Sequence, residues 1–201
     1  MAQSNGLMGL PHFRSSRVSM DMFEPAYLNL FTVSIDLPSS LGISDDDKNL
    51  LLEGVTKVGG LETTKVPAAG TSQTYKFATR RFANSGPEST TLDLSLSFEI
   101  NIRNSKQGAP DMYTLKILRQ WTDLIYDPIS GRQGLKVDYV APSMTVVMHD
   151  KIGQPYWQWT CYNVWPTQNL PAPALDYTNK SAIYKIDDFK LACDYWDEVM
   201  L

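Results

Sequence analysis

Residues 165–196 read W-P-T-Q-N-L-P-A-P-A-L-D-Y-T-N-K-S-A-I-Y-K-I-D-D-F-K-L-A-C-D-Y-W, and the fold follows from how this stretch is read. A Trp-Pro stop is followed by a Pro-rich connection and then by a strand-like segment, 183–196. Ile183, Phe189, Leu191, Cys193 and Tyr195 share one parity there, with Lys185 and Asp187 interrupting; Tyr184, Ile186, Asp188, Lys190, Ala192, Asp194 and Trp196 share the other. Period-two alternation rich in β-branched and aromatic residues predicts a strand. Apolar residues on both parities imply that parts of both faces are covered, which a neighbouring subunit could do.

Working outward, 154–165 and 139–149 form two more strands joined across Asp150-Lys151-Ile152-Gly153, a hairpin turn by composition. Trp157, Trp159 and Cys161 share a parity with Trp165; Tyr156, Tyr162 and Val164 share the other. Near the other end, Phe31, Val33, Ile35 and Leu37 alternate with Thr32, Ser34 and Asp36 until Pro38 ends the strand. The clearest alternation is 92–102: Leu92, Leu94, Leu96, Phe98, Ile100 and Ile102 face one way, Asp93, Ser95, Ser97, Glu99 and Asn101 the other. Burying those six apolar side chains contributes on the order of 10 kcal/mol before entropy is subtracted. The second face is wet, and its charge is negative. Residues 72–82 also alternate, and the turn-like Asn84-Ser85-Gly86-Pro87 after them predicts a hairpin with the 92–102 strand.

The one helix predicted with a full apolar stripe is 110–126, with Pro110 in its first turn and Asp111 beside its N-terminus. Met112, Leu115, Leu118, Trp121, Leu124 and Ile125 recur at helical spacing, a stripe suited to packing on a sheet. Asp127-Pro128 ends it, and 129–137 reads as a Gly-rich loop. The Asp45-Asp46-Asp47 run reads as a solvated acidic turn, since it lacks the spaced oxygens of a calcium loop. Residues 50–58 read as strand or short helix, and 61–66 as a short strand after the Gly59-Gly60 turn. The expected architecture is mainly β: an antiparallel sandwich or small barrel of about eight strands with one packed helix. Residues 1–24 read as an N-terminal arm and 25–201 as the β domain. The arm's apolar residues (Leu7, Leu10, Phe13 and Phe23) suit a segment that orders against a neighbour.

Composition narrows the function. Of 201 residues, 20% are charged and 43% hydrophobic, as in an ordinary folded domain, and the net charge of −4 makes the whole chain no electrostatic magnet for nucleic acid. No apolar run approaches a membrane span, and residues 1–6 show no basic region leading into an apolar core, so neither anchor nor signal peptide is expected. Cys161 and Cys193, the two cysteines, both fall inside strand patterns and read as buried reduced thiols. His12 and His149 stand apart, and no local metal-ligand spacing, nucleophile elbow or phosphate loop occurs. Asp187 and Asp188 point to opposite faces of a strand, so they form no carboxylate dyad. The aromatics of 156–165 lack the interleaved basic residues of a nucleic-acid platform. No catalytic residue, metal or cofactor is expected.

Two anchors carry a resemblance. One is Trp165, Pro166 and Thr167, then Leu175, Asp176 and Tyr177, then a strand ending Leu191, Ala192, Asp194, Tyr195, Trp196; the other is Pro25 followed by A-Y-L-N-L-F-T-V-S-I, with Leu30, Phe31, Val33 and Ile35. In this order and spacing they resemble the tail tube proteins of contractile-tailed bacteriophages, and the anchors span about residues 25–197. The resemblance implies a structural virion protein whose hexameric rings stack into a tube within a contractile sheath. It implies further that each subunit adds strands to one ring-wide barrel, that sheath, baseplate and tail terminator proteins are partners, and that genome DNA crosses the lumen without specific binding. Assembly would take place in the host cytoplasm. A lumen that passes DNA should be polar and neutral to acidic, because a basic wall would hold the phosphates. Asp93, Ser95, Ser97, Glu99 and Asn101 meet that requirement and are the lumen-lining candidates. The chain exceeds shorter family members through its arm and the 38–50 and 127–138 loops, candidates for ring-to-ring or sheath contacts. Within the family, a tube-initiating baseplate protein or the tube of a genome-free injection particle fits as well. Outside it, the alternatives are a β-barrel module binding a ligand through its aromatics and an enzyme whose site is assembled through space.

Overall fold

A computed structural model describes residues 26–62, 67–87, 91–102, 111–173, 175–178, 180 and 183–201. The predicted arm, Pro110 and most of the predicted 61–66 strand lie outside the described residues. The chain is mainly β, as the alternation requires. Its frame is one six-stranded antiparallel sheet built from β1 (Phe31–Ile35), β2 (Val55–Gly59), β5 (Leu92–Glu99), β8 (Ala141–His149), β9 (Pro155–Pro166) and β10 (Lys185–Met200). The strand order is β1-β8-β9-β10-β5-β2, and the sheet curls into a nearly closed barrel. Strands β3 (Pro67–Tyr75) and β4 (Ala78–Pro87) form a separate two-stranded ribbon, and β6 (Tyr126–Asp127) and β7 (Arg132–Gln133) a minimal hairpin.

The predicted hairpin between residues 72–82 and β5 is not formed. Residues 72–82 are themselves a hairpin, turning at Lys76-Phe77, with Tyr75 opposite Ala78. Strand β4 runs through Asn84-Ser85-Gly86-Pro87, and β5 pairs instead with β10 and β2. Composition marked 84–87 as the turn, but the register of the ribbon places the reversal eight residues earlier, so the signal was misread.

The acidic run is also not a loop. It forms the first turn of α1 (Asp45–Glu53), where Ser44 Oγ accepts a hydrogen bond from the Asp47 N–H at 3.3 Å. A serine cap followed by aspartates satisfies the free N–H groups and complements the positive end of the helix dipole. Gly54 ends α1 and β2 follows at once, so 50–58 is helix and then strand. Gly60, at φ 81, lets the chain leave β2 hard against β5: a Cβ there would stand 2.0 Å from the Asp93 carbonyl oxygen.

The predicted helix is present as α2 (Tyr113–Ile125), three residues shorter at its start than expected. It buries Thr114, Ile117, Leu118 and Trp121, while Met112 is half out in solvent. The Trp121 Nε1–H donates to the Tyr139 carbonyl at 2.7 Å, which ties α2 to the short α3 (Lys136–Tyr139), formed where the expected Gly-rich loop ends and the next strand was expected to begin. The β8–β9 turn forms as read: Asp150 Oδ1 accepts from the N–H groups of Ile152 and Gln154, and Gly153 takes φ 84.

Leu92, Leu94, Leu96, Phe98 and Ile100 are buried as expected, but Ile102 lies beyond the end of β5 and is largely exposed. The inward-facing set changes parity along the long strands. On β8 it passes from Ala141 to Met144 and Val146, on β9 from Val164 to Cys161 and Trp159, and on β10 from Cys193 to Trp196. Ala141 pairs with Val164, Met144 with Cys161, Val164 with Cys193 and Cys161 with Trp196. The switch therefore falls at one register across three strands, a crease in the sheet, with Asn163 at φ 54 inside it. A second switch, between Ile186 and Phe189, coincides with a bulge that holds Asp188 at φ 52. The mixed parity of 183–196 is thus produced within the chain, with no covering neighbour required.

Candidate functional site

Two surfaces gather the residues singled out above. The first is the outer face of β5 and its neighbours. Asp93 is exposed, Ser95 and Glu99 are half-buried, and Asn101 is exposed past the strand end. Ser97 is only 4% exposed, because the bulge on β10 folds over it: the Asp188 N–H donates to Ser97 Oγ at 3.2 Å. Four of the five candidates thus reach solvent from this face, and the fifth is used in holding the bulge.

The wet strand is not a purely acidic face once its neighbours are in place. Lys185 lies opposite Glu99 and pairs with it at 3.7 Å; Lys190 lies opposite Ser95; Lys57, opposite Ser97, reaches Asp188 at 3.1 Å. The acids Asp93, Glu99, Asp187 and Asp188 are therefore interleaved with Lys57, Lys185 and Lys190. The surface is polar and close to neutral, which sequence reasoning along a single strand could not reveal. These exposed pairs are worth little in stability each, so their effect is on the field of the surface.

The second surface is the crease, where the C-terminal motif collects. The Lys136 ammonium donates to both Asp194 oxygens at 2.7 Å and lies 4.4 Å from the centre of the Trp165 ring. Asn163 Nδ2 donates to Asp194 Oδ2 at 2.9 Å. The Lys136 hydrogen bond does most to hold the Asp194 carboxyl below the usual carboxylate range; burial opposes it, and the Asn163 hydrogen bond and the Lys136 charge add to the lowering. Tyr195 stacks on Tyr162 at 4.5 Å and stays half exposed, while Trp196 is buried. Pro166 is buried opposite Leu191, and the Thr167 N–H extends the pairing to the Lys190 carbonyl. At the other anchor, Phe31, Val33 and Ile35 turn toward the core, and the carbonyl of Leu30 accepts from the His149 N–H. The motif residues of both anchors therefore act as architecture, whereas Leu175 and Tyr177 between them are almost fully exposed.

No group of three potential metal-ligating side chains occurs among the described residues. His149 Nε2 contacts Thr32 Oγ1 at 2.9 Å at a strand end. Cys161 and Cys193 are both buried and unbridged; the hydrogen bond between them and burial push the Cys161 thiol above its ordinary range. Such a thiol is inert.

Sequence reasoning missed the β3–β4 ribbon as a feature of its own. Among the described residues it makes no substantial contact with another element, and it exposes Tyr75, Phe77 and Phe82 beside Lys76, Arg80 and Arg81. The charge pattern could have found it, since no acidic residue occurs between Glu62 and Glu88.

No family model matches the chain, and no curated protein matches it. Solved structures do share its fold. The cap that terminates the tube of the anti-feeding prophage superposes with a TM-score of 0.56 at 12% identity, covering 89% of this chain and 93% of that one. A chain of the sheath–tube complex of an extracellular contractile injection system, PVC, gives 0.51 at 14%, covering 93% and 98%. A chain of the sheath/tube terminator of the same system gives 0.52 at 13%, covering 88% and 98%. The fold is thus shared, over most of each chain, with components of the cap, the sheath–tube complex and the sheath/tube terminator of contractile injection systems.

Proposed function

We propose that the protein is a structural subunit of a contractile tail, forming hexameric rings that stack into its inner tube. The observation that carries this reading is the combination of a fold likeness, over most of the chain, to components of the cap, sheath–tube complex and terminator of such particles with a sheet whose end strands, among the described residues, are paired on one side. Unpaired edges are normally blunted or covered, and pairing with further copies around an axis would cover them. The partners are then other copies of the chain, the sheath, and the baseplate and terminator at the tube's ends, with the particle as the protein's location. In this reading Asp93, Ser95, Glu99 and Asn101 face the lumen, and their near-neutral surroundings let DNA pass without holding it.

The test is the double variant Asp93→Lys, Glu99→Lys. It should assemble normally but slow or block passage of DNA, since the wall would gain positive charge facing the phosphates. Genome release at the wild-type rate from assembled variant tubes would remove these residues from the lumen. A second reading, a cap or terminator that ends a tube, is favoured by the anti-feeding prophage cap having the highest TM-score of the structures named here. Electron microscopy separates the two: a tube subunit gives extended cylinders, a terminator gives single rings bound at tube ends.

A further inference from the structure

The β3–β4 ribbon presents a face that is aromatic and cationic together. Its pairing sets Tyr75 opposite Ala78 and Gln73 opposite Arg80. Residues two apart on a strand share a face, so Tyr75, Arg80 and Phe82 stand on one side and Arg81 on the other. The Arg80 guanidinium lies 5.9 Å from the centre of the Tyr75 ring, and at the tip the Lys76 ammonium lies 5.4 Å from that of Phe77. Each of these side chains is exposed. The ribbon carries three cations and no acid, so of the chain's net charge of −4 the remaining residues carry −7. Another copy of the chain is therefore a surface of opposite charge to the ribbon, and such complementarity steers and orients association.

A groove of about 490 Å³ offers the matching surface, where the Ser39–Leu41 turn meets the C-terminal end of α2. Leu41, Leu124 and Ile129 supply its apolar lining, and Asp123 and Asp127 set two carboxylates against one cation, Arg119, which pairs with Asp123 at 3.9 Å. Ile129 is almost wholly exposed at the rim. Ribbon and groove lie at opposite ends of the sheet. The ribbon leaves at the end of β2 and the start of β5. The groove lies by the end of β9, since Pro128 lines both it and the neighbouring cavity that Pro166 lines. Strand β9 is antiparallel to β10, β10 to β5, and β5 to β2, so β2 and β9 run in opposite directions and end on opposite sides.

We infer that the ribbon of one copy seats in this groove of the next, with Phe77 against Leu41, Leu124 and Ile129 and with Arg80 facing Asp123. The two surfaces differ and lie at opposite ends, so the contact is heterologous and repeats head to tail along an axis. It uses neither β1 nor β2, whose edges stay available to other copies. The inference rests on the tube reading and deepens it: the sheet edges join copies within a ring, and the ribbon joins one ring to the next.

The test mixes two full-length variants, one carrying Ala78→Cys on the ribbon and the other Gln120→Cys in the groove wall, with Phe77, Arg80 and Asp123 kept. The native thiols are buried and do not interfere. Mild oxidation should give a mixed covalent dimer, its linked 78–120 peptides found by mass spectrometry. The same ribbon cysteine mixed with Ile152→Cys, exposed in the β8–β9 turn, should link at a rate at least about tenfold lower, because a disulfide requires Cα atoms within about 7 Å. Adding Arg80→Glu to the ribbon chain should slow the 78–120 link by at least about tenfold, and Asp123→Lys in the groove chain should restore part of it, a recovery that damage to either fold would not give. Equal linking to Gln120→Cys and Ile152→Cys, or no recovery with Asp123→Lys, would overturn the assignment. So would retention of the chain on DNA through Arg80 and Arg81 without the mixed link, which would make the ribbon a nucleic-acid platform. Electron microscopy of the parent keeps the two readings apart: the 78–120 link without rings supports the ribbon contact and contradicts the tube, and rings without the link do the reverse.

Discussion

The creased centre of the sheet and the β3–β4 ribbon are built from similar residue types and do opposite work. Across β8, β9 and β10, aromatic and aliphatic side chains are buried, every strand has a partner on both sides, and Trp196 is only 2% exposed. The ribbon holds Tyr75, Phe77 and Phe82 in solvent, with Phe77 at 90% exposure, and among the described residues pairs only with itself. An isolated two-stranded hairpin is marginal in water. Apolar surface thus stabilises the monomer in the first region and is left available to a partner in the second.

This contrast can be broken by substitution. The largest effect is expected at Trp196→Ala, which removes a large ring from the packed centre and should cost about 3–5 kcal/mol in denaturant unfolding; a cost near zero would mean the crease is not the stable core. Next is Asn163→Val. A β-branched residue at φ 54 is strained, and the hydrogen bond to Asp194 is lost as well, so about 2 kcal/mol is expected, with Asn163→Gly recovering part of it. A Val variant as stable as the parent would show that the crease does not depend on this backbone turn.

Asp194→Asn should cost about 1 kcal/mol at neutral pH. The carboxyl's folded-state pKa is lowered, chiefly by Lys136, so its contribution is present above the ordinary value of 3.8 and is lost as pH falls through the folded value. Parent and variant should therefore differ at pH 7 and converge in acid; a gap that widens in acid would reverse the sign of the argument. The smallest effect on folding is expected at Phe77→Ala, within about 0.5 kcal/mol for the free subunit, together with a clear loss of assembly. Unchanged assembly would make the ribbon a bystander.

How much of this was legible in the sequence depended on where the partner of each residue lies. The alternation of 31–37 and 92–98, the β8–β9 turn and the stripe of α2 were readable because each signal is local. Helix α1 was missed although Ser44 before Asp45-Asp46-Asp47 is a capping signal, because the acidic run was weighed as a calcium loop or a solvated turn. The β3–β4 turn was missed because Lys76-Phe77 carries no turn chemistry. The crease and the bulge turn on Asn163 and Asp188 adopting left-handed backbone, a state their residue types permit but do not announce. The lysines that neutralise the Glu99 face come from β2 and β10, so only the pairing of strands distant in sequence brought them together.

The most direct measurement is electron microscopy of the purified full chain over a range of concentrations, alone and with the baseplate and sheath components it would work with. Six-membered annuli or stacked cylinders are the predicted result. A protein that stays a single well-folded molecule under all of these conditions, its sheet edges never meeting another copy, would contradict the account.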